Sequence, residues 1–176
     1  MEPNDGGDTM KRQWFFLAAA CVAALCGLAG AQSGGDAILG EWTTEAEETI
    51  FHIYKEGDTY SGKIIWLREP VYPEGDPDAG QKKHDRKNPD KALRDTPILG
   101  YVILKNFKYD NGKWSGGTIY DPTEGKTYKC NMKLDGGTLN VRGYVGVALL
   151  GRTVEWHRPS AALKNTAETT GEKLQQ

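Results

Sequence analysis

Cysteine is scarce, with three in 176 residues, and Cys21 and Cys26 both fall in an apolar stretch near the N-terminus. Without that stretch Cys130 stands alone, so an internal disulfide is excluded even in an oxidising compartment. The neighbours of Cys130 mark it as a buried structural thiol and not a nucleophile. Histidine is equally sparse. His52, His84 and His157 lack H-x-x-x-H spacing, so no metal is expected on them. There is no Gly-x-Ser-x-Gly elbow. Gly116-Gly117 leads into a strand pattern and not a helix, which rules out a phosphate loop. Glu45, Glu47 and Glu48 sit at a turn and read as solvated surface. No positioned nucleophile and base is found, so neither catalysis nor a cofactor is expected.

An excess of charge of one sign is also missing. The formal net charge is −2, and removing residues 1–31 takes away three acids and two bases, which leaves −1. No basic surplus marks a nucleic-acid partner. The apolar run Trp14–Leu28 is short for a membrane span. Preceded by Lys11-Arg12 and followed by Ala29-Gly30-Ala31, it reads as a signal peptide over residues 1–31 with Gln32 as the mature start. Residues 1–9 are acidic and polar, unlike a positive n-region, so translation is expected to begin at Met10. Cys21 follows Ala18-Ala19-Ala20 and Cys26 follows Ala23-Ala24-Leu25, neither a lipoprotein pattern. The mature protein is expected to be periplasmic or secreted, with no stable membrane span.

Helical periodicity is absent until the tail. Beyond a linker at 32–37, strand-like runs recur at about 38–44, 48–55, 59–67, 99–108, 113–120, 126–134, 137–145 and 150–158. Asp110-Asn111-Gly112 and Asp135-Gly136-Gly137 are hairpin turns, since Asn and Gly tolerate positive φ. Tyr128, Cys130, Met132 and Leu134 alternate with Lys129, Asn131 and Lys133, as in a sheet with one wet face. Tyr60, Gly62, Ile64 and Trp66 share one face of their strand, and Arg152, Val154, Trp156 and Arg158 share one of theirs. Hairpin-connected strands in such number leave two edges, and closure removes both. The fold expected is all-β, a single eight-stranded antiparallel up-and-down barrel over 38–158. Residues 68–98, rich in Pro, Asp, Lys and Gly, form one long loop, functional or disordered. Residues 159–176 are expected to be a flexible tail, disordered or loosely helical.

Several of these pieces together resemble a known exported bacterial family. They are Gly40-Glu41-Trp42, Asn88-Pro89-Asp90, Trp114-Ser-Gly-Gly-Thr-Ile-Tyr-Asp-Pro122, Gly125-Lys-Thr-Tyr128, Val141-Arg-Gly-Tyr144 and Leu150-Gly-Arg-Thr153 through Trp156. They are similar to domain of unknown function 2147, over about residues 38–158. The resemblance implies a lipocalin-like (calycin) barrel and binding of a small ligand. Gly40-x-Trp42 is also similar to the lipocalin signature. In that signature the Trp plugs one barrel end, and a basic residue of the last strand packs over it. Arg158 is the matching candidate and Arg152 the second, in a structural role worth about 0.5–2 kcal/mol.

The barrel interior is the first candidate site, because eight strands enclose room for side chains or for one small ligand. Its expected lining is Tyr54, Tyr60, Trp66, Tyr101, Tyr128 and Trp156, suited to a small hydrophobic or amphipathic guest. The alternative is that these rings simply pack as core. Arg142 and Arg152, with Tyr144, form a second candidate. An inward Arg must be paired. Asp121, Glu41 or Asp85 would supply an internal carboxylate, the favoured arrangement, or a ligand carboxylate or phosphate would bind in its place. Arg142 and Tyr144 alternate opposite Leu139 and Val141, so one set points outwards unless a bulge intervenes. In the loop, Asp76-Pro-Asp78-Ala-Gly80 has the wrong register for a calcium loop, with Gly80 fifth and Lys87 twelfth. Asp85 and Asn88 are expected to shape the loop through Asx turns, with Asn88-Pro89-Asp90 starting a helical turn. The function expected is carriage of a small, partly apolar molecule. The alternative is an envelope interaction module using loop 68–98, and an enzyme is the least favoured class. The sequence leaves the oligomeric state open.

Overall fold

A computed structural model describes residues 34–173. The expected leader, its start at Met10 and the beginning of the linker lie outside the described residues. Eight antiparallel strands follow in order: β1 Gly40–Thr44, β2 Thr49–Glu56, β3 Thr59–Leu67, β4 Val102–Asp110, β5 Lys113–Asp121, β6 Lys126–Asp135, β7 Thr138–Tyr144 and β8 Arg152–His157. Each pairs with its chain neighbour, and β8 returns to β1 to close the barrel. Asn111 (φ 46) and Gly112 (φ 79) give the β4–β5 hairpin its two positive-φ residues. Gly117 lets β5 pass under Phe107: a Cβ there would lie 2.5 Å from the Phe107 ring. Among the described residues no helix is long and apolar enough to cross a membrane.

The linker residues are part of the fold. Gly34–Ile38 form a 3-10 turn laid across one barrel end. Trp42 Nε1 donates to Ile38 O (2.7 Å), Trp114 Nε1 to Gly35 O (3.1 Å) and the Tyr60 hydroxyl to Asp36 Oδ1 (2.7 Å). A side chain at Gly35 would collide with Tyr60 Oη. Outside this plug the Arg158 guanidinium lies 3.8 Å over the Trp42 ring and donates to the carbonyls of Ala37, Leu39 and Glu41. Of the two candidates for that stacking position, Arg158 fills it and Arg152 does not.

Two expectations about exposure change. The residues after Pro159 were expected to be a flexible tail, disordered or loosely helical, and of these Ala161–Lys173 take the helical form, α1, docked on the barrel and not loose. Leu163 and Ala167, one turn apart, put an apolar stripe on the barrel wall against Ile50, Ile65 and Trp66. Trp66 therefore points outwards. In the β2–β3 register Phe51 faces Ile64 while Ile50 faces Trp66, so Ile65 is an extra residue. That bulge inverts the alternation expected from Tyr60 through Trp66.

The long connection is ordered. Short bridges join Val71 to Lys82 and His84 to Pro97. Arg86 stacks 4.3 Å over the Tyr72 ring and binds both carboxylate oxygens of Asp76, so a cation side chain occupies the calcium-like segment. Asp85 is fully buried. Its carboxylate accepts from Asn88 Nδ2 (2.6 Å) and from the Tyr120 hydroxyl on β5 (2.9 Å), a loop-to-barrel pin in place of the expected Asx turn. Asn88 does make its turn, accepting from Asp90 N (2.9 Å), and Asp90 caps the 3-10 turn Lys91–Leu93.

Candidate ligand cavity

Inward side chains fill the plugged half of the barrel and leave the other half hollow. The cavity is about 1060 Å³ and opens between the β1–β2, β3–β4, β5–β6 and β7–β8 connections. Period-two alternation builds its walls. Val141 and Gly143 of β7 and Arg152, Val154 and Trp156 of β8 all face it. At the floor, Trp156 stacks flat on Phe51 with centroids 4.1 Å apart, and Ile64, Ile103 and Ile119 complete an apolar basin. The rim is charged, with Arg68, Lys83, Arg86 and Lys87 set among Glu48, Glu69, Asp121 and Glu124. Tyr128 reaches up to donate to Glu124 Oε2 (2.6 Å), and that carboxylate hydrogen bond raises its phenol above the ordinary value.

Of the residues expected to line the site, Tyr128, Arg152 and Trp156 face this cavity, and Tyr144, on the outer face of β7 with Arg142, borders it at the mouth. Five others do not. Tyr54 lies on the outer face of β2, since Phe51 and Ile53 take the inner one; it stacks on His52 and carries Lys63 over its ring. Tyr60 belongs to the end plug, Trp66 to the seat of α1. Tyr101 stays outside, stacked 5.5 Å from Tyr120 and contacted by Asn88 Nδ2. Burial raises the Tyr101 phenol first, and the Asp85 charge adds to this.

Arg142 also points outwards, because Leu139 and Val141 take the inner face of β7. Neither arginine forms the internal ion pair that was favoured. Arg142 binds the carbonyls of Ala148 and Leu149 and the Thr153 hydroxyl, so it needs no carboxylate. The three candidate acids are otherwise engaged: Asp121 accepts from Thr123 N, Glu41 pairs with Lys164, and Asp85 holds the loop pin. The Arg152 side chain, exposed at the mouth, has no hydrogen bond or ion pair among the described residues.

Residues 40–158 match the model of a family described as an uncharacterized protein conserved in bacteria, DUF2147. The chain belongs to this family. No curated protein matches the sequence. Among solved structures, a protein from the human pathogen Helicobacter pylori, described as belonging to the lipocalin family, aligns with a TM-score of 0.59 and 20% identity. The alignment covers 74% of this chain and 88% of that one, and it carries the lipocalin-like fold. In this DUF2147 chain the matched segment spans the whole barrel, from Gly40 at the start of β1 to Arg158 just after β8.

Rings with polar tips were expected as the lining, which left out Phe51, Ile103 and Ile119; Ile64 and Val154 were placed on inward faces but not named as lining. Tyr72, His84 and Ile98 reach the cavity from the long loop, which lacks periodicity, and nothing local points to them.

Proposed function

We propose that this DUF2147 barrel is an exported binding protein, not an enzyme, that carries one small, partly apolar molecule. The observation that carries the reading is the hollow half-barrel: an apolar basin of drug-sized or larger volume under a polar rim. The leader read from the sequence supports export. The long loop enters as a wall of the cavity and not as a free docking arm, since Asp85 ties it to Tyr120. The rim also suggests which end of the guest is polar. Arg68 binds the Ala46 and Glu47 carbonyls, Lys83 pairs with Glu69, Arg86 with Asp76, and Lys87 donates to Thr123 O. Arg152, exposed at the mouth, is the one of these cations whose side chain has no protein partner among the described residues, so it is the group placed to meet an anionic end of the guest.

Native mass spectrometry of the purified protein is expected to show a retained ligand, and the neutral fluorophore N-phenylnaphthylamine to bind saturably. Gly143 is the position at which to fill the basin. A Cβ there meets Ile119 and Tyr128 at ordinary distances of 3.5 and 3.7 Å. Gly143→Leu is therefore expected to fold and to lose the fluorophore. Saturable binding that survives in the filled variant, or no binding by either protein, would sink the carrier reading.

A further inference from the structure

The chain is nearly neutral, but the fold sorts its charge by face. On the outer surface the register runs one row from Lys105 through Thr118 and Lys129 to Tyr144, with a lysine on alternate strands. In the next row Lys108 faces Ser115, and Asn131 faces Arg142. Below that, Lys113 lies directly opposite Lys133, a like-charge pairing that costs stability. These lysines are all exposed, and among the described residues none has an ion-pair partner. The acids of this surface, Asp110, Asp135 and Glu155, sit in the rows toward the plugged end. The two rows nearer the mouth carry Lys105, Lys108, Lys129 and Arg142 and no acid. Lys126, at the turn above, is neutralised by Glu124 at 3.3 Å. The basic surplus that the linear sequence did not reveal is thus present on one side of the barrel.

A second feature adjoins it. The β7–β8 connection begins at the residue after Tyr144, and it holds Val145, Val147, Leu149 and Leu150 in solvent at 73%, 60%, 86% and 79% exposure. The loop is not slack. From below, Arg142 donates to Ala148 O (2.8 Å), Leu149 O (3.0 Å) and Thr153 Oγ1 (2.8 Å). Its backbone is clamped while Val147 and Leu149 project into solvent and Val145 and Leu150 border the cavity mouth. Contiguous exposed apolar surface of this kind marks a contact site.

We infer that the open end of the barrel seats on an anionic lipid surface, with the 145–150 loop among the headgroups and the lysines of β4 and β6 above the phosphates. An aliphatic tip beside unpaired cations is the chemistry of interfacial anchoring. A nucleic-acid strand would call for exposed aromatic platforms, and the tip is aliphatic. A folded acidic partner would favour planar Arg forks over lysine point charges, and here the Arg on this outer face, Arg142, is spent on the loop. Val145 and Leu150 also line the cavity mouth, so the seated loop would lie at one edge of that mouth. The inference rests on the outer surface and stands whether or not the cavity is occupied.

Hydrogen exchange on the full chain tests it, with vesicles of phosphatidylcholine alone or mixed with phosphatidylglycerol. Peptides are read separately, so any binding by residues 14–28 is not confused with the loop. Protection of 145–151 by the anionic vesicles, and not by the neutral ones, is the expected result. Co-sedimentation is expected to weaken about 10-fold or more for Leu149→Ser with Leu150→Ser, from lost apolar burial. For Lys105→Gln with Lys129→Gln it is expected to weaken about 5-fold per lysine at low salt, with a smaller salt dependence than the parent. Unchanged melting of both variants shows that they fold. Absence of loop protection by anionic vesicles, equal loop protection by both vesicle types, or undiminished loop protection in the loop variant overturns the inference. Protection by a single-stranded oligonucleotide in place of vesicles overturns it too.

Discussion

Replacing Asp85 by alanine removes the acceptor that ties the long β3–β4 connection to the barrel. The carboxylate is fully buried and takes hydrogen bonds from Asn88 Nδ2 and the Tyr120 hydroxyl. Each bond to a charged group is worth about 1.5–3 kcal/mol. Relief from burying a carboxylate with no cation beside it offsets part of that loss, for a net cost of about 2–4 kcal/mol. The cost falls first on the loop, as local opening. That segment carries Lys82, Lys83, Arg86, Lys87, Lys91 and Arg94, so trypsin is a direct probe. Where cleavage follows the opening equilibrium, Asp85→Ala is expected to be cut between residues 82 and 94 at least about 30-fold faster than the parent. Tyr120→Phe, which removes one of the two bonds, falls between them. If Asp85→Ala resists trypsin as the parent does, the pin has no energetic weight and the account of the ordered loop is wrong.

Arg158→Lys is expected to cost about 2 kcal/mol in urea unfolding, because an ammonium cannot hold three carbonyls and a ring face together; a change within 0.5 kcal/mol, the range of ordinary surface substitutions, counts against the plug assignment. Burial, then the bond to Asp85, lifts the Tyr120 phenol above its ordinary value of 10.0. The folded state therefore keeps a proton that the unfolded chain releases near that pH, so stability holds below about pH 10 and falls as pH rises beyond it. Tyr120→Phe flattens that alkaline loss in melting scans, and an unaltered slope would refute the assignment. Burial pushes the Cys130 thiol up to about 12, so mass spectrometry after thiol labelling at neutral pH should find the Cys130 peptide unmodified until denaturant is added. Leu163→Ser is expected to free α1 from the wall at a cost of about 2 kcal/mol, read as faster hydrogen exchange over 161–169 with the strands unchanged.

Where alternation runs unbroken, residue type alone carried the structure: β6 and β8 face as their period-two pattern requires, and Trp156 lies in the cavity because Arg152 and Val154 do. Where an extra residue enters, the pattern misleads. Ile65 is such a residue, and it sends Trp66 to the outside beneath a helix that composition had suggested was loose. Partners distant in the chain were illegible for a different reason. Asp85 meets Tyr120 across 35 positions, and the lysines of β4, β5 and β6 become neighbours only when the strands pair. Those meetings depend on register, which residue type does not encode.

The β1–β8 seam has one more consequence. β1 is short and meets β8 through Thr43 with His157 and Thr44 with Trp156, so the upper length of β8, from Arg152 to Glu155, borders no strand on that side. The circumference is a hoop fastened by a small clasp at the level of the floor that Phe51 and Trp156 form. Closure of the whole circumference therefore rests on two residue pairs, and the Arg158 bonds to the plug carbonyls reinforce them from the next position along the chain.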